Sequence, residues 1–74
     1  MTVELRLSFS AILTAQECTL LSLLPDWPQT AMVVTRDLSL LPRLERLGCV
    51  EGQRGRAGAT LLGRASAQAG VVPL

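Results

Sequence analysis

LPRLERLGCVEGQRGRAGATLLGRA, residues 41–65, is the stretch on which the reading of this chain turns. It opens as a helix expected over residues 39–47. Leu40, Leu44 and Leu47 recur at i, i+4, i+7 with Leu41 beside them, and Ser39, Arg43 and Arg46 repeat that spacing on the opposite face. Ser39 is a suitable N-cap, and Pro42 falls in the first turn, where a missing N–H costs least. Gly48 follows the run as a helix-ending residue should. Cys49-Val50-Glu51 then reads as a strand, Gly52 to Gly58 as a turn and Ala59-Thr60-Leu61-Leu62 as the return strand. A hairpin over residues 49–62 with arginines at its tip is therefore expected.

Upstream, Val3, Leu5, Leu7 and Phe9 alternate with Glu4, Arg6 and Ser8, the pattern of a half-buried strand near residues 3–8. Thr14-Ala15-Gln16-Glu17 is a capping box, since Thr14 can accept from the Glu17 N–H and Glu17 can reach back. It predicts a helix over residues 15–24 with Cys18, Leu20, Leu21 and Leu24 inward, stopped by Pro25. Residues 29–35 are ambiguous: Val33 and Val34 favour a strand, but the position between two helices points to a short helix, which is the expectation taken. Downstream, residues 63–69 read as a weak helical turn or as tail. The chain divides into a single domain over residues 1–70 and a frayed tail over residues 71–74.

Composition narrows the functional classes. Of 74 residues, 49% are hydrophobic, which argues for a folded core and against disorder, but a chain this short buries only a modest one. One Trp, one Phe and no Tyr are thin provision for stacking on single-stranded bases. The net charge of +1 hides an asymmetry. Arg6 against Glu4, Glu17 and Asp26 leaves −2 over residues 1–35, whereas six arginines against Asp37, Glu45 and Glu51 leave +3 over residues 36–74. Lysine is absent, so every side-chain cation is a guanidinium, the group that recognises phosphate and guanine bidentately. GC-rich codon usage produces the same bias.

Cys18 and Cys49, with no histidine in the chain, cannot complete a four-ligand zinc site; both read as reduced core thiols, with a disulfide between them as the lesser alternative. No paired carboxylates, base-partnered nucleophile or phosphate-cradling glycine loop is present, so neither an enzyme nor a cofactor is expected. No apolar run approaches the length of a membrane span, and the charged N-terminus does not look like a secretion signal, so a cytoplasmic protein without membrane contact is expected.

The order strand, helix, short element, helix, hairpin is that of a small α+β winged helix-turn-helix domain, with two to three short helices and a hairpin wing. Three motifs carry the resemblance. LTAQECTLLSLL, residues 13–24, looks like the first helix of MarR-type regulators. LPRLERLGCVEG, residues 41–52, resembles the end of their recognition helix with the first wing strand. ATLLGRA, residues 59–65, is similar to the second wing strand running into the next helix. The likeness covers the winged-helix core and not that family's long dimerising helices.

The resemblance implies a bacterial or phage transcriptional regulator that binds double-stranded DNA as a homodimer. The exposed face of the recognition helix would enter the major groove, and the wing would approach phosphate or the minor groove. Ser39, Arg43 and Arg46 would face the groove, with Arg43 nearest a base, and Arg36, Arg54 and Arg56 would meet phosphates. The alternative is a winged-helix module that binds protein, such as a small phage inhibitor or an assembly adaptor, centred on Trp27 and Met32. Leu21, Leu24, Leu40, Leu44, Leu47, Val50 and Leu61 are expected to share the core, and Phe9, Trp27, Met32 and Val33 to be exposed apolar residues available to a dimer.

Overall fold

A computed structural model describes residues 10–73. The strand expected near residues 3–8, and Phe9, lie outside the described residues. The elements run β1 (Ala11–Ile12), α1 (Ala15–Leu23), β2 (Ala31–Met32), a 3-10 helix (Thr35–Leu40), α2 (Leu41–Arg46), β3 (Val50–Gln53), β4 (Arg56–Ala59), α3 (Leu61–Ala69) and β5 (Val71–Val72). The fold is a small α+β domain with two antiparallel sheets, one of β1 and β5, the other of three strands in the order β2-β4-β3.

The capping box forms as its spacing predicts. Glu17 N–H donates to Thr14 Oγ1 at 3.1 Å, and Thr14 N–H donates to Glu17 Oε1 at 2.8 Å. Helix α1 presents Leu20 and Leu21, followed by Leu24, to the core, where they meet Leu41, Leu44, Cys49, Val50, Ala57 and Ala59. Cys18 is half-buried, Cys49 is fully buried, and both are free thiols.

Several expectations are corrected. Residues 31–32 form a strand and not a helix, because Ala31 and Met32 pair with Ala57 and Arg56, and Val33 N–H then donates to Gly55 O at 2.8 Å. That pairing turns Val33 into the core, so it is not an exposed apolar residue. The helix expected over residues 39–47 is a 3-10 helix that passes directly into α2, with Ser39 inside the 3-10 stretch and making no cap. Pro42 does lie in the first turn of α2, and Gly48 follows that helix with φ +81°.

The hairpin is tighter than its glycines suggested. Gln53 pairs with Arg56, so only Arg54 and Gly55 form the turn, and their φ values of 58° and 76° are those of a type I′ turn. The return strand ends at Ala59, and Thr60 caps α3 by accepting from Gly63 N–H at 3.0 Å. Leu61, placed in the core by the strand reading, is consequently 92% exposed at the start of that helix. Leu40 and Leu47 are half-buried against the core, while Leu21, Leu24, Leu44 and Val50 are in it. The tail expected to fray is ordered through Pro73's predecessors: Val71 pairs with Ile12, Val72 pairs with Ala11, and Val72 is fully buried. The β1–β5 ribbon thus ties the beginning of the described chain to its end.

Candidate functional site

The six arginines after residue 35 divide into two groups, and the division depends on α1. Arg43 donates from Nη1 to Glu17 Oε1 at 2.5 Å and from Nη2 to the Ile12 carbonyl at 2.9 Å. Glu17 is buried, its side chain 3% exposed. Burial by itself would push the Glu17 carboxyl upward. The Thr14 backbone N–H, the Arg43 guanidinium and the Thr14 hydroxyl outweigh it and hold the carboxyl below its ordinary range. Arg43, expected to face a DNA groove, is therefore turned towards the N-terminal end of α1.

Arg64 closes the other end of the same helix. It donates to the Leu21 carbonyl at 2.9 Å, to the Leu24 carbonyl at 2.7 Å and to Asp26 Oδ1 at 2.8 Å. These include carbonyls that a helix leaves without internal partners, and a cation there also suits the helix dipole. Sequence reading assigned Arg64 no role. Its acceptors lie 38 to 43 residues away, so no local pattern signals the contact.

Four arginines remain on the surface: Arg36 on the 3-10 helix, Arg46 at the end of α2, Arg54 in the hairpin turn and Arg56 at the start of β4. Among the described residues none of the four forms a salt bridge, because the two ion pairs found join Arg43 to Glu17 and Arg64 to Asp26. Ser39 is also exposed. Arg56 is held in place without being neutralised: Nε donates to Thr30 Oγ1 at 3.3 Å and Nη2 to the Thr30 carbonyl at 3.1 Å.

The register places these residues relative to the core. Val50, Gly52, Ala57 and Ala59 line the inner face of the sheet, so Glu51, Gln53, Arg56 and Gly58 fall on the outer one. Met32 is directly opposite Arg56 and shares that outer face, 70% exposed. The Trp27–Gln29 turn crosses the same face at Gly58. Only glycine fits there, since a Cβ at Gly58 would lie 2.1 Å from the Gln29 carbonyl oxygen. Trp27 N–H donates to the Ala59 carbonyl at 2.9 Å, which anchors the turn and leaves Trp27 45% exposed. Between this turn and the hairpin runs an open groove of about 630 Å³, whose lining includes Trp27, Pro28, Thr30, Glu51, Arg54 and Arg56.

The residues expected to serve two alternative functions thus share one surface. Trp27 and Met32, the candidates for a protein interface, stand beside Arg54 and Arg56, the candidates for phosphate contact. Arg36, Ser39 and Arg46 lie on the helical segment and do not line that groove. Among the described residues no group of His, Cys, Asp and Glu is arranged to hold a metal ion, and no helix is long and apolar enough to cross a membrane. Comparison of the chain with protein-family models, with curated proteins and with solved structures finds no match.

Proposed function

We propose that this domain is a winged-helix module that binds double-stranded DNA through α2 and the β3–β4 hairpin, acting as a cytoplasmic transcriptional regulator without a catalytic role. The observation that carries the reading is the sorting of the arginines. Arg43 and Arg64 bind Glu17 and Asp26, so those carboxylates are neutralised, while Arg36, Arg46, Arg54 and Arg56 reach solvent without a carboxylate partner among the described residues. Their placement at a helix end and a hairpin tip is where a winged helix meets the duplex. Arg46, not Arg43, is then the arginine of α2 that reads a base, and Arg36, Arg54 and Arg56 position the domain on phosphates. The helical arm is compact, with no turn between the 3-10 helix and α2, so few side chains enter the groove and affinity per copy is low. Exposed Ile12, Leu23 and Leu61 support a homodimer, which would double those contacts.

The test is fluorescence anisotropy with a labelled random duplex at increasing salt. Three phosphate contacts predict a log–log slope of roughly −3, at about −0.9 per contact, and Arg36→Ala or Arg54→Ala each flattens it by about one, whereas Arg46→Ala, which removes a base contact, leaves the slope on random duplex nearly unchanged. Absence of any salt-sensitive binding at low ionic strength refutes the reading. One observation favours a second reading, a protein-binding module: Trp27 and Met32 are exposed together with arginines on a single face, and Trp, Met and Arg are enriched in protein interfaces.

A further inference from the structure

The groove on the outer face of the sheet is not accounted for by α2 and the hairpin tip alone. We propose that it receives one sugar–phosphate strand of the bound duplex, with the indole of Trp27 lying against a deoxyribose while Arg54 and Arg56 hold the flanking phosphates. This inference rests on the DNA-binding reading above. Three features of the groove carry it. Its volume of about 630 Å³ lies within the range of sites that enclose small organic groups, and it is open to solvent, as entry of a polymer requires. Its lining combines apolar Trp27 and Pro28 with cationic Arg54 and Arg56, which suit the sugar and the phosphates of one strand respectively. The Arg56 guanidinium is pre-oriented: Thr30 takes Nε and Nη2, and among the described residues Nη1 has no acceptor, so it can donate to a phosphate oxygen without losing an existing bond. Glu51 also lines the groove, opposite Gly58, so the phosphates must seat on Arg54 and Arg56 at the hairpin end, where the register sets them apart from that carboxylate.

Trp27 is the only tryptophan and the chain has no tyrosine, so its emission reports this groove directly. The experiment follows two signals on the intact protein with the same duplex: anisotropy of labelled DNA, and acrylamide quenching of Trp27. Saturating duplex is expected to lower the quenching constant at least twofold, along the same binding curve as the anisotropy. Trp27→Ala should weaken duplex binding roughly fivefold to tenfold, the loss expected from exposing part of an aromatic surface, and Trp27→Phe should weaken it less. Circular dichroism verifies that both variants are folded, and Trp27→Phe preserves a ring if Trp27→Ala does not fold. DNA binding by anisotropy with unchanged quenching of Trp27 overturns the groove while leaving the DNA reading intact. Absence of binding by anisotropy overturns both. Protection of Trp27 by poly-glutamate but not by duplex overturns the proposal in favour of an acidic protein partner.

Discussion

Removing Arg43 tests whether that residue is structural or exposed for recognition. In Arg43→Ala, Glu17 stays buried, its side chain 3% exposed, but loses its cationic partner, and the Ile12 carbonyl loses its donor. Stripping one partner from a fully buried pair costs roughly 3–5 kcal/mol. Arg43 is itself 40% exposed, so solvent screens part of that interaction, and Glu17 retains the Thr14 N–H. A loss of about 2 kcal/mol is the expected outcome, close to one charge-assisted hydrogen bond with a small addition for the carbonyl. In a domain of this size that lowers Tm by roughly 8–16 °C. Urea unfolding followed by circular dichroism measures it, with Arg46→Ala as the exposed control, expected within about 0.5 kcal/mol of the parent. The pH dependence adds a sign. Because the folded Glu17 carboxyl is held low, its contribution is present above the carboxyl's unfolded range, about pH 4, and is lost as pH falls through the folded value. Without Arg43, burial is opposed only by the Thr14 bonds, so the carboxyl moves upward and the stability lost on acidification shrinks. If Arg43→Ala unfolds at the same urea concentration as Arg46→Ala, and its acid profile matches the parent, the clamp is not structural and Arg43 returns to the recognition surface.

Arg64→Ala should lower stability by roughly 1–2 kcal/mol, since several donors at the end of α1 vanish together, and amide exchange should show that helix end opening first. Leu44→Ala, at a fully buried position, should cost roughly 2–5 kcal/mol, and an unchanged thermal midpoint would refute the core assignment. Gly63→Ala places a Cβ 2.0 Å from the Cys49 carbonyl oxygen, so α3 must shift off β3; destabilisation of at least 1–3 kcal/mol in urea titrations is expected, roughly the cost of overpacking, despite the better helix propensity of Ala. Burial pushes the Cys49 thiol up and shields it, so a thiol reagent should modify half-buried Cys18 first and reach Cys49 only at the rate of unfolding; equal native-state rates would contradict this.

Sequence by itself determined the features whose causes are local. Thr14 and Glu17 are three residues apart and satisfy each other's backbone, so α1 starts where the capping box places it, and Pro25 soon ends it. The leucine spacing of residues 40–47 located the α2 region, and Gly48 marked its end. Thr60 before a helical run, with Gly70 after it, was a readable signal for α3, but the hairpin pattern absorbed Leu61 and Leu62 into a strand. Tertiary structure decided the rest. The two-residue β2 exists because β4 lies beside it, and that neighbour is more than twenty residues away along the chain. The turn settled on Arg54-Gly55 through the register of β3 with β4, while Gly58 and Gly63 serve close approaches of other segments. The fate of the arginines was equally non-local. A guanidinium on a helix face looks the same in sequence whether it meets water, phosphate or a buried carboxylate. Only the packing of α1 against its neighbours buried Glu17 beside Arg43 and exposed carbonyls to Arg64, leaving Arg36, Arg46, Arg54 and Arg56 at the surface.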